Sequence, residues 1–310
     1  MTKYPVLDGH CDTAVELWRK GESLAKNSGQ ISLAQAAEFP AYVQFFAFCT
    51  VWIKNAQTDE ERFASAMAYF SEQLREHNIP LCRTSADVSA ILQNGGVGAA
   101  LSIEGAEAFD CDPGRLEELA AQGVRMIAPV WNAENALAGS CMTGGGLTAQ
   151  GREFVRRAQR AGILVDVSHS SERAFWDICE LAEKPIVASH SNAKAVCGHV
   201  RNLTDEQFRA ICDLGGTAGL NLYAPFLNAS GEASMDDVRR HLEHFLERDG
   251  DGHLALGGDL DGCDVLPDGM HGLRDYALLE TNFENWGFGE QIVRNLFYQS
   301  LEKVVKLCIM

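Results

Sequence analysis

The sequence predicts an α/β protein of the (β/α)8 barrel (TIM barrel) type, with residues 1–310 forming a single domain. Short apolar runs alternate with longer amphipathic runs along the whole chain, a pattern typical of parallel strands joined by helices. There are eight such apolar runs, enough strands to close a barrel, and a chain of 310 residues has a suitable length for one. An open, doubly wound sheet remains the alternative, because periodicity alone does not distinguish it from a closed barrel.

The predicted strands are the eight apolar runs, at residues 6–12, 42–51, 97–104, 125–130, 163–167, 185–189, 217–222 and 254–257. The predicted helices lie between them, at residues 59–77, 115–122, 148–161, 171–181, 204–214 and 236–248. The helix at 59–77 has apolar residues at a spacing near 3.6, and Thr204 with Gln207 fits a capping box at the start of another. We expect a flexible loop at 228–234 and irregular structure at 264–286.

The composition excludes two classes of partner. The formal net charge is −17, and the sequence lacks the clusters of Lys and Arg with which proteins bind nucleic acids or anionic membranes. No apolar run approaches the ~18 residues of a membrane-spanning helix. The first residues lead directly into a strand and leave no room for a secretory leader. We therefore expect a cytoplasmic protein that binds neither nucleic acids nor membranes.

The ten cysteines show neither a CxxC pair nor a secretory context. Most of them lie in apolar, periodic stretches of the sequence. We interpret them as reduced and buried small hydrophobic residues.

Residue types that bind metal ions or transfer protons fall at the predicted ends of strands. They are His10 and Asp12 (first strand), Glu104 (third), His169 (fifth), His190 (sixth) and Asp259 (eighth). In a (β/α)8 barrel the carboxyl ends of the strands share one rim, where catalytic residues gather. The sequence therefore predicts that these six side chains converge at that rim.

The spacing of these residues indicates two ion sites. His10 and Asp12 are two residues apart on a strand, so both point to the same side and can bind one ion. His169 and His190 each follow an apolar run in a Ser-His-Ser context, and neutral imidazoles suit zinc. The alternative is that these histidines only form hydrogen bonds in turns and loops.

Glu104 is the candidate for a ligand shared by both ions. It ends an apolar strand before a glycine, and its two carboxylate oxygens can bridge ions ~3.5–4 Å apart. Glu107 is the competing choice, but it lies three residues further on, beyond the expected strand end, and we favour Glu104.

Two further positions suggest roles around the ions. Asp259 directly follows the eighth strand and can transfer a proton between water and a leaving amine, whereas Asp261 fits an ordinary turn. Arg201 and Asn202 precede a capped helix, and an arginine at the rim can bind a substrate carboxylate with two hydrogen bonds. A surface ion pair is an equally good interpretation of Arg201.

Two other histidines are not expected to take part. His241 and His244 lie three residues apart on a predicted amphipathic helix, away from any strand end. We expect both to be surface residues.

From residue 7 to about residue 296 the chain resembles the membrane (renal) dipeptidase family (peptidase family M19), a branch of the amidohydrolase superfamily. The motifs that carry the resemblance are DGHCDT, SIEG, GLTAQGREFVRRAQRAGILVDVSHSS, ASHSNAKAVCGHVRNLTDEQ and LGGDLDG. The resemblance implies hydrolysis of dipeptides with tolerance of a D-residue at the C-terminal position. It also implies two zinc ions per chain and, for many members, a homodimer.

The resemblance further implies a role for each matching residue. The first zinc ion would be bound by His10, Asp12 and Glu104, and the second by Glu104, His169 and His190. Arg201 would bind the C-terminal carboxylate of the substrate. Asp259 would be the general acid and base.

The sequence departs from the family pattern after the fourth strand. The family's dipeptidases carry a histidine there that helps to polarise the scissile carbonyl, whereas this chain reads MIAPVWNAEN and places Trp131 at that position. An indole N–H donates one hydrogen bond but cannot carry a positive charge. Losing such a donor can cost about 10²–10³ in rate, so the position bears on the substrate.

Two alternatives therefore stay open beside a zinc-dependent dipeptidase. The same metal site can act on a non-dipeptide amide, an N-acyl amino acid or a lactone. A catalytically silent barrel that binds a ligand or partner is the other alternative, and Trp131 is its only support.

Overall fold

The computed structural model describes residues 2–309 and contains one sheet of eight parallel strands. The strands are β1 (Val6–Cys11), β2 (Ala41–Phe48), β3 (Gly96–Glu104), β4 (Val124–Ala128), β5 (Leu164–Val165), β6 (Val187–Ala188), β7 (Thr217–Leu220) and β8 (Leu254–Leu256). Hydrogen bonds join them in the order β5-β4-β3-β2-β1-β8-β7-β6. A parallel bridge between Asp166 and Val187 joins the two ends of this order. The sheet is therefore a nearly closed barrel, and the predicted (β/α)8 fold is confirmed.

Helices connect the strands and cover the outside of the barrel. The α-helices are α1 (Thr13–Lys20), α2 (Leu33–Ala36), α3 (Asp59–Glu76), α4 (Ser85–Asn94), α5 (Leu116–Gln122), α6 (Ala149–Arg160), α7 (Glu172–Leu181), α8 (Asp205–Asp213), α9 (Ala224–Leu227), α10 (Met235–Leu246), α11 (Tyr276–Asn285), α12 (Glu290–Arg294) and α13 (Ser300–Cys308). A π-helical turn (Asn295–Gln299) joins α12 to α13. Among residues 2–309, no helix combines the length and the apolar character needed to span a membrane.

All six predicted helices are present, and the capping box of Thr204 and Gln207 is confirmed at the start of α8. The expectation of irregular structure throughout 264–286 is wrong, because α11 lies within that range. This helix has no side-chain cap at its N-terminus, and it buries Tyr276, Leu279 and Phe283 along one face. Tertiary packing rather than local sequence signals therefore stabilises it.

The interior of the barrel is filled by apolar side chains from most strands. They are Leu7, Val43, Phe45, Ala100, Met126, Leu164, Val187 and Ala255. Leu301, Val304, Val305 and Cys308 of α13 pack in the same cluster. The Cys308 thiol contacts the carbonyl of Pro185, which precedes β6. The last helix thus closes the amino end of the barrel and leaves the carboxyl end open for a site.

A β-bulge in β1 changes the direction of its side chains before the strand ends. The register against β2 shifts between Asp8 and Cys11. Val6 and Cys11 consequently pack in the same outer cluster, although they are five residues apart. Bulges of this kind re-aim side chains next to active sites. Here the bulge turns His10 away from the outer cluster and toward the barrel mouth.

Glycines allow the end of β6 to lie close to three other strands. The carbonyl oxygen of Ser189 would be 1.9 Å from a Cβ atom at Gly219 and 1.8 Å from one at Gly257. It would be 3.2 Å from a Cβ atom at Gly9. Because contacts below about 3 Å do not occur, only glycine fits at Gly219 and Gly257. This close approach fixes the backbone that carries His190.

We expect Gly257→Ala to lower the free energy of unfolding by about 2 kcal/mol or more, since overpacking against backbone costs roughly 1–3 kcal/mol. Chemical denaturation monitored by circular dichroism measures this change. Gly289→Ala is the matched control, because a Cβ atom there meets nothing within 4 Å. Equal stability of the two variants would contradict the proposed close approach.

Candidate metal centre

A cavity of about 500 Å³ opens at the carboxyl end of the barrel. Five of the six predicted rim residues line it directly, namely Asp12, Glu104, His169, His190 and Asp259. The sixth, His10, is buried beneath it, with its ring stacked on that of His190 at a centroid distance of 3.8 Å. The structure therefore brings all six predicted side chains together.

The first group surrounds the Nε2 atom of His10. This atom lies 3.7 Å from Oδ2 of Asp12, 3.8 Å from Oε2 of Glu104 and 3.8 Å from Oδ1 of Asp259. Burial alone lowers the pKa of His10, but the neighbouring carboxylates of Glu104 and Asp12 outweigh burial and raise this pKa to about 10. The carboxylates around His10 thus favour a positive charge at or beside its ring.

The second group surrounds the Oε1 atom of Glu104. This oxygen lies 2.8 Å from Nε2 of His169 and 3.3 Å from Nε2 of His190. The two Nε2 atoms lie 3.2 Å apart. Burial, followed by the positive charge of Arg201, lowers the pKa of His169 to about 4. Burial and the charge of His10 hold the pKa of His190 well below its usual value. Both rings are therefore neutral near pH 7.

Hydrogen bonds fix which nitrogen of each ring carries the proton. Nδ1 of His169 lies 2.9 Å from Oδ1 of Asn132, an atom that can only accept, so Nδ1 donates. The hydroxyl of Ser189 donates to Asp166, and its oxygen lies 2.7 Å from Nδ1 of His190. That nitrogen consequently donates as well. In both rings Nε2 therefore carries the lone pair. Nε2 of His169 lies 2.8 Å from Oε1 of Glu104, whereas Nε2 of His190 accepts a hydrogen bond from Nη2 of Arg201 at 2.7 Å and lies 3.3 Å from Oε1 of Glu104.

This arrangement fits a bound metal ion. Three atoms with lone pairs, the two imidazole Nε2 atoms and Oε1 of Glu104, converge within 3.3 Å of one another. Nε2 of His10 and Oε1 of Glu104 are buried without a hydrogen-bond partner of acceptable geometry among residues 2–309. A cation between such atoms removes their repulsion, and imidazole with carboxylate is a ligand set typical of zinc.

Asp259 lies at the edge of the first group, and its side chain is only 13% exposed. Burial, assisted by the negative charges of Asp12 and Glu104, raises the pKa of Asp259 to about 7. Its Oδ2 accepts a hydrogen bond of 3.0 Å from the amide of Asn221. Its backbone is left-handed, with φ of 57°. A carboxyl group held in this way can both accept and donate a proton near neutral pH.

Arg201 and Trp131 line the cavity as predicted, whereas Asn202 does not. Nη2 of Arg201 lies 2.7 Å from Nε2 of His190, and its guanidinium lies 5.5 Å from the ring centre of Phe226. Trp131 lies beside His169, with ring centres 6.2 Å apart. The amide of Asn202 instead donates to the backbone carbonyls of Cys197 and Phe226, which holds the loop that carries Arg201.

The structure bears on two choices between neighbouring carboxylates, namely Glu104 over Glu107 and Asp259 over Asp261. Glu107 does not line the cavity, whereas Glu104 lies at its centre. Asp261 lines the cavity, but its two oxygens accept hydrogen bonds from the hydroxyl of Thr13 and the backbone N–H of Gln30. Asp261 therefore stabilises loops that surround the site.

The expectation that His241 is a surface residue is wrong. His241 is fully buried, where its Nδ1 accepts from the N–H of Ala193 and its Nε2 lies 3.0 Å from the carbonyl of Leu227. Its neighbours Val238, Leu242 and Phe245 form the same buried face of α10, and this spacing was visible in the sequence. His244 is partly buried and lies 2.7 Å from Asp205.

Four supporting residues were missed in the sequence: Asn132, Asp166, Ser189 and Asn221. Asn221 is fully buried just after β7, the position in the barrel where the ligands follow other strands. A polar residue at the end of an apolar run was therefore a signal that could have identified Asn221 from the sequence. Asp166 and Ser189 lie inside the motifs that contain His169 and His190, but nothing in those motifs indicates which oxygen orients which ring.

Related sequences match most of the chain. The membrane dipeptidase family (peptidase family M19) matches residues 1–308. A protein of Klebsiella pneumoniae encoded in the pqqA 5′ region is 35% identical over 250 residues, which are 76% of this chain and 92% of that protein. An uncharacterised dipeptidase of Schizosaccharomyces pombe is 31% identical over 256 residues, covering 76% of this chain and 61% of that protein.

Solved structures agree with the sequence matches. A metallopeptidase from Rhodobacter sphaeroides, bound to a phosphinate mimic of the dipeptide L-Ala-D-Ala, is similar with a TM-score of 0.89 and 28% identity over 99% of this chain and 100% of that one. A dipeptidase of family M19 has a TM-score of 0.89 and 29% identity over 99% of both chains. The chain therefore belongs to the membrane dipeptidase family, peptidase family M19, and is a metal-dependent dipeptidase.

Proposed function

We propose that this protein hydrolyses the amide bond of small dipeptides, including dipeptides with a D-residue at the C-terminal position, and that it uses two zinc ions. His10, Asp12 and Glu104 would hold one ion, and Glu104, His169 and His190 the other. The observation that supports this best is the division of the Glu104 carboxylate, whose Oε2 faces His10 while Oε1 faces the other two histidines. A single carboxylate placed in this way can bridge two ions.

The two bound ions would supply a hydroxide nucleophile at neutral pH and would polarise the scissile carbonyl. Asp259 would take the proton released at the nucleophile and return it to the departing nitrogen. Its position at the cavity wall and its pKa of about 7 suit both directions of transfer. The amide of Asn221 holds one oxygen of Asp259 and leaves the other to face the cavity.

Arg201 would orient the substrate by binding its C-terminal carboxylate. The guanidinium is buried, lines the cavity and lies against Phe226. Trp52, Trp131 and Tyr223 provide apolar walls for the substrate side chains. The tolerance of a D-residue is inferred from the family resemblance and from the L-Ala-D-Ala mimic bound by the Rhodobacter sphaeroides structure.

The second candidate is the same metal site acting on an N-acyl amino acid, a lactone or another non-dipeptide amide. Trp131 favours it, because an indole replaces a histidine that would help to polarise the carbonyl. The six site residues at the metal centre are nevertheless all present, which argues against a catalytically silent barrel.

We expect about two zinc ions per chain by elemental mass spectrometry after purification with zinc. Glu104→Gln should lose most of this metal and at least 10²-fold in activity, because the amide cannot bridge two cations. Glu107→Gln is the matched control, since Glu107 lies three residues away and does not line the cavity. Full metal content in Glu104→Gln would refute the bridging role.

We expect Asp259→Asn to lower kcat for L-Ala-D-Ala by about 10²–10⁴-fold with the zinc content unchanged, because an amide cannot transfer the proton. Asp261→Asn in the same LGGDLDG motif should stay within about tenfold of the wild type, since its role is to hold loops. Steady-state assays with free D-alanine as the measured product separate the two variants. Equal rates for Asp259→Asn and the wild type would remove Asp259 from the mechanism.

We expect Arg201→Met to raise KM for L-Ala-D-Ala by about tenfold or more, because a charge-assisted hydrogen bond contributes ~1.5–3 kcal/mol. The same dipeptide with an amidated C-terminus should be hydrolysed equally by the variant and the wild type. A panel containing N-acyl amino acids and lactones tests the second candidate in the same assay. If the wild type preferred substrates without a carboxylate, the dipeptidase proposal would be wrong.

A further inference from the structure

The carboxylate of Asp8 is fully buried, although it has no part in the ion sites or in the proposed reaction. It lies in β1 at the start of the bulge, two residues before His10. Four groups donate hydrogen bonds to it, namely the N–H of His10 (2.9 Å), the N–H of Gly258 (3.2 Å), the amide of Gln44 (3.2 Å) and the hydroxyl of Tyr276 (2.5 Å). These four bonds compensate for the burial of a charged group.

Two of these donors belong to the chain segments that carry the metal centre. His10 is a proposed ligand of the first ion, and Gly258 immediately precedes Asp259, the proposed acid and base. Oδ1 of Asp8 accepts from the N–H of His10, and both oxygens of Asp8 lie within 3.4 Å of the backbone nitrogen of Gly258. One carboxylate therefore connects the end of β1 to the segment after β8.

The pairing between these two segments shifts at this point. Asp8 is paired with Leu256, and Cys11 is paired with Leu260, so the chain advances three residues in β1 but four in the other segment. Regular backbone hydrogen bonding resumes at the N–H of Asp12, which donates to the carbonyl of Leu260 at 2.9 Å. The carboxylate of Asp8 spans the irregular stretch and thus fixes the register in which the two segments continue.

The packing around this carboxylate is close. A Cβ atom at Gly258 would lie 1.9 Å from the hydroxyl oxygen of Tyr276 and 3.3 Å from Oδ2 of Asp8. Tyr276 is the first residue of α11 and is itself fully buried. The glycine therefore allows its own N–H to reach the carboxylate, while α11 holds the other side of the carboxylate in place.

We propose that Asp8 is a positioning residue that sets the distance between the first ion site and the carboxylate of Asp259. Because one carboxylate holds the N–H groups of His10 and Gly258, Nε2 of His10 stays 3.8 Å from Oδ1 of Asp259. This separation matters because an acid and base acts only within hydrogen-bond reach of the group whose proton it takes. The inference rests on the proposed function, which assigns an ion to His10 and proton transfer to Asp259.

The two ion sites depend on this carboxylate to different extents. Asp8 holds the backbone of His10, whereas the rings of His169 and His190 are held through their Nδ1 atoms by other side chains. The guanidinium of Arg201 likewise lies against His190, on the side of the second ion. Loss of the Asp8 carboxylate therefore weakens the first ion site and leaves the second site and substrate binding intact.

Asp8→Asn tests the proposal, because it keeps the shape of the side chain but leaves one accepting oxygen. Its NH2 group faces the N–H of either His10 or Gly258, so one of these two hydrogen bonds is lost or weakened. In zinc titrations of the metal-free protein against a chromophoric chelator, one ion should bind about 10–100-fold more weakly and the other within about twofold of the wild type. The visible absorption of the cobalt-substituted protein should change for one of its two ions. For L-Ala-D-Ala, kcat should fall by about 10–100-fold while KM stays within about twofold.

Tyr276→Phe is the matched control, because it removes a hydrogen bond to the same carboxylate but leaves both backbone N–H groups bound. It should lower the melting temperature, as Asp8→Asn does, yet keep both zinc affinities and kcat within about twofold of the wild type. Unchanged zinc binding in Asp8→Asn would overturn the proposal. So would equal losses of zinc affinity and kcat in the two variants, since these would show a purely structural role.

Amide hydrogen exchange in the metal-free wild type tests the bridge without a variant or a metal ion. The N–H groups of His10 and Gly258 should exchange about 10²-fold more slowly, or slower still, than that of the exposed Gly289. Rapid exchange at either position would overturn the proposal, even if Asp8→Asn did not fold. A wild type that binds fewer than two ions would instead contradict the proposed function, and the exchange rates would then decide on Asp8 alone.

Discussion

The convergence of unprotonated ligand atoms on the Glu104 carboxylate is the constraint on which the rest of the site depends. The Nε2 atoms of two neutral imidazoles lie within 3.3 Å of one oxygen of this carboxylate, while the other oxygen faces His10. The lone pairs of Oε1 of Glu104 and Nε2 of His169 repel each other in the absence of a metal ion, so the protein must hold these groups in place by other contacts. Hydrogen bonds from Nδ1 of His169 and from Nδ1 of His190 to neighbouring oxygens provide that restraint and fix the tautomer of each ring.

The backbone contributes as much as the side chains to this convergence. The bulge in β1 turns His10 into the mouth of the barrel, and the glycines opposite Ser189 let the end of β6 approach. His169 and Asp259 both have left-handed backbone, with φ of 67° and 57°. Each such residue costs of order 1–3 kcal/mol and persists only where its surroundings hold it. The strained backbone at the carboxyl end therefore lowers stability, while α13 and the apolar interior stabilise the amino end.

The sequence was sufficient to predict the barrel and its six central side chains, because strand ends are readable from apolar runs and all of them share one rim. It was insufficient for contacts that depend on two distant segments. Asn221 contacts Asp259 across 38 positions of the chain, and His241 contacts Ala193 across 48. Neither partner can be identified from periodicity. The burial of His241 was nevertheless implied by the apolar face of α10. That the amide of Asn202 donates to the backbone carbonyls of Cys197 and Phe226 became clear only from the structure.

Charge explains why recognition at this centre has to act at short range. The chain as a whole is strongly acidic, with a formal net charge of −17, which repels the carboxylate end of a substrate at a distance. Screening at physiological ionic strength limits that repulsion to about 8 Å. Beside the proposed ions the local balance would be reversed, because two divalent ions would exceed the charge of the three nearest carboxylates, Asp12, Glu104 and Asp259. Glu16, Asp261 and Asp264 line the outer part of the cavity, and Arg201 adds a buried positive charge. A substrate carboxylate is therefore attracted only once it enters, so selectivity depends on the geometry of Arg201 and the aromatic walls rather than on long-range steering.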